Sequence, residues 1–298
     1  MDIGVVGLGK MGSALARRLL AQDVSVVVWN RSPGPVDALV ADGAVAAQDL
    51  STLWRAASTI CTFLADDAAV ADVLLGEGGL LATATTGATL VELSTISAAA
   101  SALVADAARA RDVRYVRAPV SGNPGVLTAG KLSLIVSGDQ ADIDVVRPVL
   151  ELIGPTVTYV GEGEAARIVK LAVNVVLAGT AALLAEVLLL AEAWDIDRSV
   201  LLEVLQRSAV GSPFIGYKTP ALLARDYGAT FTLAMILKDL GLAHDAAQSV
   251  SVPMPVADLV ASEASDSCSK GLADLDFMAL LPHLQHLAGR LSDVPVIG

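Results

Sequence analysis

The chain has 298 residues, 54% of them hydrophobic, and 20 Lys and Arg against 32 Asp and Glu, a formal net charge of -12. That length and apolar content suit one large or two ordinary globular domains and exclude a disordered chain. The acidic balance excludes nucleic acid or an anionic membrane as partner, since both demand concentrated Lys and Arg, so any anion must be captured locally.

Two cysteines, Cys61 and Cys268, make no disulfide framework, and Cys61 reads as a small buried hydrophobe in an apolar strand. The N-terminus enters strand-like sequence at once, with no basic region or cleavage site, and a reducing cytoplasm is expected. Residues 2–7 are a short apolar run ending in glycine, and Leu8-Gly9-Lys10-Met11-Gly12 opens a stretch of helical periodicity. Gly7, Gly9 and Gly12 give G-x-G-x-x-G at that junction. The first suits a tight turn, the second the close approach of a pyrophosphate, and the third the packing of helix on strand. The helix start adds free N–H groups and a positive dipole end. Gly7, Leu8, Gly9, Lys10, Met11 and Gly12 are therefore the candidate dinucleotide cradle.

A second strand, 24–29, ends in Asn30-Arg31-Ser32. A carboxylate there would hold the ribose hydroxyls of NAD and repel a 2'-phosphate. Neutral Asn30, the planar guanidinium of Arg31 and the Ser32 hydroxyl favour NADP(H) instead. Helices are expected at 35–42 and 50–57, a buried strand at 58–64, a helix capped by Asp66 running to 75, a glycine-rich loop at 76–79 and a strand at 89–93. This alternation predicts a doubly wound parallel sheet. Leu64, Ser94 and Thr95 fall where parallel strands end, outside which ligands sit in such sheets, and are further candidates for cofactor contact.

Strand 113–117 runs into Ala118-Pro119-Val120-Ser121-Gly122-Asn123-Pro124-Gly125. So much Gly, Pro, Ser and Asn reads either as an ordinary connecting turn or as an anion nest to which Ser121 adds a hydroxyl. A strand at 131–138, a helix at 139–152 and a strand at 156–160 close this half. From about Glu164 the pattern is helical only. Residues 167–194 read as one helix on which Lys170 and Asn174, four apart, share a face. On an otherwise apolar wall they are either a site or a snorkelling lysine and a backbone-bonded amide. Asn174, Gly179, Thr180 and Glu186 interrupt the apolar run and no aromatic or basic belts flank it. It is therefore expected to be a core helix buried all round, not a membrane span.

Further helices are expected at 197–207, capped by Asp197, and at 234–248, 256–267 and 277–291, while 211–218 reads as a loop with exposed aromatics. His283 and His286 have no third ligand nearby and read as surface residues, so no metal is expected.

Taken in order, these motifs resemble the β-hydroxyacid dehydrogenase family, the relatives of 3-hydroxyisobutyrate and tartronate semialdehyde dehydrogenases within the 6-phosphogluconate dehydrogenase superfamily. The residues that carry the resemblance are Gly7-Leu8-Gly9-Lys10-Met11-Gly12, Ser94-Thr95, Ala118-Pro119-Val120-Ser121-Gly122, Gly161-Glu162-Gly163 with Lys170 and Asn174, Leu237-Lys238-Asp239-Leu240, and 274–276. The resemblance implies an N-terminal doubly wound Rossmann domain, residues 1–162, joined by a long interdomain helix to an all-α domain, residues 163–298. It implies an NADP-dependent oxidoreductase acting on a small hydroxy acid or semialdehyde, with Lys170 as general acid/base and Asn174 orienting the substrate. Ser121, Gly122 and Asn123 would form the carboxylate loop, and Lys238 would reach substrate and cofactor from the second domain. Phe214 and Tyr217 would be pocket walls, in a region often shared across a homodimer interface. A partly desolvated lysine beside a cationic nicotinamide releases its proton more readily, which suits that role.

The chain departs from the family where Asn123-Pro124 replaces a second glycine, because proline restricts its predecessor and removes a donor. The substrate is left unnamed. Two rivals stand beside this reading. An imine reductase shares Asn-Arg after the second strand but generally lacks the lysine, and a non-catalytic NADP-binding sensor would need none of Lys170, Asn174 and Ser121.

Overall fold

Strands β1 (Asp2–Val6) and β2 (Ser25–Trp29) are almost unbroken apolar runs with four and three buried residues respectively, the pattern of strands covered on both faces. In the computed structural model, which describes residues 2–290, they sit in a parallel sheet with β3 (Val45–Ala46), β4 (Thr59–Thr62), β5 (Thr89–Glu92) and β6 (Arg114–Arg117). The strand order is β3-β2-β1-β4-β5-β6. The order reverses between β1 and β4, which makes the carboxyl ends of these two strands the switch point where ligands bind in such sheets.

Helices α1 (Lys10–Leu20), α2 (Gly34–Ala41), α3 (Leu50–Ala56), α4 (Asp67–Val70) and α5 (Ala98–Arg109) connect these strands. Val26 and Val28 enter one core with Ile3 and Leu15, whereas Val27 enters another with Leu53 and Ile60. That division follows from the two-residue period of a strand and gives the sheet a packed layer on each face. Cys61 lies in the first of these cores, where burial pushes its thiol up to about 12. Asp66 caps α4 by accepting from the Ala69 amide at 2.8 Å, and the helix continues as a π-turn to Leu75. Helix α5 has the sequence AAASALVADAAR, with alanines where larger apolar residues would announce a stripe. Periodicity does not reveal it, although its Ser97 cap is of the ordinary kind.

A second, smaller sheet departs from the simple alternation. Its order is β7 (Val120–Ser121), β8 (Ser133–Val136), β9 (Thr156–Tyr159), with β7 antiparallel to β8 and β8 parallel to β9. The stretch 118–125, expected as a turn, instead contributes β7 and the start of α6 (Pro124–Thr128). Helix α7 (Gln140–Ile153) crosses between β8 and β9, capped by Asp139.

The chain divides after Lys170 into two compact units, while α8 (Ala165–Ala193) continues without a break. The second unit adds α9 (Arg198–Arg207), α10 (Pro213–Ala224), α11 (Leu233–Ser249), α12 (Pro255–Ser267) and α13 (Leu280–Leu287). They pack around a core that includes Leu188, Leu202, Phe214, Ile236, Phe277 and Leu281.

Several expectations change here. Residues 211–218 are not a loop: Ser212 Oγ accepts from the Ile215 amide at 3.3 Å and Pro213 takes the first helical position, so α10 begins there. His283 is not a surface residue. It is 3% exposed, with Nε2 3.0 Å from Asp266 Oδ2 on α12, a partner that spacing along one helix cannot reveal. His286 is exposed. Helix α8 is not buried all round, since Val173, Val176, Leu183 and Leu190 lie exposed in steps of three and seven. By length and composition it could cross a membrane, as core helices of soluble proteins also could. The final helix ends at Leu287, and Leu291, its expected end, lies outside the described residues.

Candidate active site

The glycines of the fingerprint differ in what holds them. Gly7 has φ +85°, and a Cβ there would stand 2.2 Å from the Phe63 carbonyl oxygen. A Cβ on Gly12 would stand 1.9 Å from the Gly7 carbonyl oxygen, so both are required by the fold. Gly9 is different: nothing lies within 4 Å of its would-be Cβ. The protein itself does not require that glycine, whereas a pyrophosphate lying against the backbone does. Gly9 is also the N-cap of α1, with no side chain capping the helix and no acid in its first turn. Those N–H groups, carried by the residues that follow Gly9, are suited to phosphate. The residues present therefore fit a dinucleotide.

Asn30 has a task within the protein. Its Oδ1 accepts from the Leu8 amide at 2.9 Å and its Nδ2 donates to Ser32 O at 3.0 Å, tying the end of β2 to the glycine loop. Arg31 and Ser32 are exposed, and among the described residues no carboxylate pairs with Arg31. Lys10 is exposed and Met11 half-buried on the first turn of α1, while Leu8 is buried.

At the carboxyl end of β5, Ser94 is 3% exposed and its Oγ accepts from the Leu64 amide at 2.7 Å. Its own amide donates to Glu92 Oε1 at 2.9 Å. Ser94 is thus a brace between the loops after β4 and β5, and Thr95 is the half-buried residue beside it. Ser121 lies half-buried on β7 opposite Ser133. Gly122 has φ +134°, and a Cβ there would meet Leu132 Cδ1 at 2.8 Å and Val126 Cγ1 at 3.0 Å, so the turn needs glycine for two reasons. Asn123 Oδ1 accepts from the Val126 amide at 3.0 Å, capping α6, and Pro124 occupies the first helical position. There the missing proline N–H has no intrahelical partner to lose. The Asn-Pro pair is a helix start, and the Asn123 carbonyl is committed to it.

On α8, Lys170 is half-buried and Asn174, one turn further, is 3% exposed. Asn174 Nδ2 donates to Asp239 Oδ2 at 2.5 Å, and Lys238 Nζ lies 3.0 Å from Asp239 Oδ1. Asp239, 2% exposed, is the candidate that site reasoning from the sequence passed over, although it stands inside the Leu237-Lys238-Asp239-Leu240 motif. Its carboxylate joins the two candidate residues of the second unit and turns the amide end of Asn174 toward itself.

Phe214, expected as a pocket wall, is a core residue, 9% exposed and stacked on Phe277 at 5.6 Å. Tyr217 is 49% exposed and packs edge-on against Phe214. Partial burial, reinforced by Asp276, pushes its phenol pKa up, so it keeps its proton. Beside it Lys218 is buried with Nζ 2.7 and 2.6 Å from the two Asp276 oxygens, which anchors this face of α10. No group of three or more His, Cys, Asp or Glu suited to a metal occurs among the described residues.

Comparison with known proteins identifies what the two halves of the chain are similar to. Residues 2–161 match the family described as the NAD binding domain of 6-phosphogluconate dehydrogenase. Residues 163–284 match the family described as NAD-binding of NADP-dependent 3-hydroxyisobutyrate dehydrogenase. The chain is 30% identical over 290 residues to the chloroplastic glyoxylate/succinic semialdehyde reductase 2 of Arabidopsis thaliana, covering 97% of this chain and 81% of that protein. It is 34% identical over 265 residues to 3-hydroxyisobutyrate dehydrogenase of Pseudomonas aeruginosa, covering 87% and 89%. Among solved structures, Psf3 in complex with NADP+ and 2-OPP superposes with a TM-score of 0.88 at 30% identity, covering 95% of this chain and 99% of that one.

The glycine geometry leads to a test. Gly9→Ala is expected to keep the thermal midpoint of the wild type, because no protein atom opposes the new methyl. It should weaken nicotinamide dinucleotide binding by about tenfold or more, roughly 1.4 kcal/mol, in a fluorescence titration.

Proposed function

The chain belongs to the β-hydroxyacid dehydrogenase family, and from that premise we propose that it is an NADP-dependent oxidoreductase interconverting a small semialdehyde or keto acid and the matching hydroxy acid. The observation that carries the reading is the half-buried Lys170 one helical turn from Asn174, whose amide is held by buried Asp239. When bound, the reduced nicotinamide supplies hydride to the carbonyl carbon. Lys170 then donates a proton from Nζ to the carbonyl oxygen as negative charge develops there, and in the oxidative direction it removes that proton. Asn174 orients the same oxygen by hydrogen bonding, and the Asp239 carboxylate keeps the amide from rotating. Ser121 and the backbone at Gly122 hold the substrate carboxylate, with the Asn123 side chain serving as helix cap behind them. Lys238 is tethered to the same Asp239 carboxylate that holds Asn174.

Arg31 supports NADP over NAD, since it is an exposed guanidinium at the end of β2 with no carboxylate partner among the described residues. The exposed apolar steps of α8, from Val173 to Leu190, support a homodimer in which a second copy covers them. Both cysteines are free thiols, which suits a reducing cytoplasm.

Three measurements test the reading. Initial rates with NADPH and NADH are taken against glyoxylate, succinic semialdehyde and a cyclic imine, and with NADP+ against 3-hydroxyisobutyrate. Lys170→Ala is expected to lose roughly two to four orders of magnitude in turnover of the semialdehyde or hydroxy acid while keeping its NADPH affinity. Turnover of the imine alone would make the protein an imine reductase, and tight NADPH binding with no turnover of any compound would make it a sensor. Arg31→Asp should raise the Kd for NADPH and leave that for NADH unchanged or lower, and an equal loss for both would refute the phosphate role. Light scattering on the purified chain should give the mass of a dimer, and a monomer would remove the need for a cover on α8.

A further inference from the structure

We propose that Arg167 and Glu92 are positioning residues for the reaction: their buried ion pair locks the first turn of α8, and with it Lys170, to the loop that carries Ser94 and Thr95. The inference rests on Lys170 being the proton carrier.

Arg167 is 1% exposed and Glu92 fully buried, and the pair is in direct contact through Nη2 and Oε2. The remaining guanidinium bonds reach in other directions. Nη1 donates to Ser94 O at 2.8 Å, Nη2 also donates to Tyr115 Oη at 3.1 Å, and Nε donates to Ser101 Oγ at 3.2 Å. Glu92 Oε1 accepts in turn from the Ser94 amide at 2.9 Å. Ser94 is therefore gripped at both its N–H and its C=O by the two halves of one ion pair, while its hydroxyl holds the Leu64 amide. One side chain on α8 thus sets its position against β5, β6, α5 and the loops after β4 and β5.

Stability alone does not account for such an arrangement. Apolar residues of similar volume in place of a buried ion pair are often neutral or stabilising. What they cannot supply is direction: a planar guanidinium fixes angle as well as distance toward several acceptors, whereas apolar packing tolerates sliding and rotation. Burial works against the Arg167 cation, and Glu92 and Tyr115 beside it more than offset that, so the charge is retained. A second, partly buried pair reinforces the same end of the helix. Arg117 Nε donates to Glu164 Oε1 at 2.9 Å, one residue before α8 begins, and Arg117 shares Ser101 with Arg167. Ser137 Oγ accepts from the Ala166 amide at 3.1 Å and donates to Gly163 O at 2.7 Å. Lys170 follows Arg167 by three residues, a rise of about 4.5 Å along the helix. A slip at Arg167 would therefore be carried almost undiminished to the lysine.

The test compares Arg167→Lys, which keeps the charge but loses the fork, and the milder Tyr115→Phe, which removes one hydroxyl from the network, with Lys170→Ala and the double variant Lys170→Ala/Arg167→Lys. Thermal midpoint, NADPH Kd by fluorescence, and kcat and KM with NADPH and succinic semialdehyde are read for each, glyoxylate replacing the semialdehyde if it is turned over faster. Arg167→Lys is expected to fold, to bind NADPH several-fold more weakly through the loosened Ser94 loop, and to lose about 10- to 100-fold in kcat with little change in carbonyl KM. Tyr115→Phe should lose a smaller factor in kcat, and it decides the matter if Arg167→Lys does not fold. The double variant should be no slower than Lys170→Ala, because the two residues act through one group. Wild-type kcat and Kd in Arg167→Lys and Tyr115→Phe, with only the thermal midpoint lowered, would reduce the pair to a structural element and overturn the proposal. Multiplied losses in the double variant would overturn it too. If Lys170→Ala itself turns over normally, the reading of Lys170 fails and the proposal falls with it, a pattern distinct from a slow Lys170→Ala beside a fast Arg167→Lys.

Discussion

Helix α8 must keep polar chemistry on an apolar rod. Its 29 residues are dominated by Ala, Val and Leu, so each polar side chain it carries near its start has to find compensation from another part of the chain or lose several kcal/mol to desolvation. Arg167 finds Glu92, Ser94, Ser101 and Tyr115. Asn174 finds Asp239. These requirements draw a buried carboxylate into β5 and another into α11, and both lie beside residues proposed to act in the reaction. The cost of burying polar groups thus becomes a means of holding them in one geometry.

The nucleotide end follows a different logic, set by backbone clearance. Gly7 and Gly12 are there because the turn from β1 into α1 leaves no room for a methyl, and either substitution would collide with a carbonyl oxygen. Gly9 has room to spare. A glycine that its own fold does not need reports on something outside the fold, and in a strand-to-helix turn with an uncapped helix start that something is a phosphate. Asn30 links this loop to the end of β2, so that Arg31 is displayed from a fixed base.

The loop proposed to hold the substrate joins both themes. Gly122 adopts a positive φ that L-residues avoid, and its neighbours Leu132 and Val126 fill the space a side chain would use. The Asn123-Pro124 pair that follows appears in the sequence as a break in an anion nest. In three dimensions it starts α6, with the Asn amide oxygen capping and the proline placed where its missing donor costs least. The departure from the family pattern is accommodated as local structure, and Ser121 remains half-buried on β7 beside it.

Much of what depends on short-range pattern was legible from the sequence. Apolar runs with glycine between them identify β1 and β2, the spacing of Gly7, Gly9 and Gly12 identifies the cradle, and four-residue spacing places Lys170 and Asn174 on one helical face. The caps Asp66 and Asp197 mark helix starts because a side chain bonds a backbone two or three residues on. What long-range partners decide was not legible. Nothing within a few residues of His283 says that Asp266 will face it, nothing near Phe214 says that Phe277 will stack on it, and the serine and proline that start α10 look like loop chemistry until a core forms for the helix to pack on. The exposed steps of α8 likewise follow from which faces its neighbours happen to cover, a property of assembly that a uniformly apolar helix cannot encode by itself. The sequence by itself determined the alternation of strand and helix in the first half, the glycine spacing at the end of β1 and the shared helical face of Lys170 and Asn174, since each is a property of adjacent residues. Tertiary structure alone decided which buried charges meet, because Glu92 and Arg167, or Asn174 and Asp239, are brought together across 75 and 65 residues by packing that no local signal specifies.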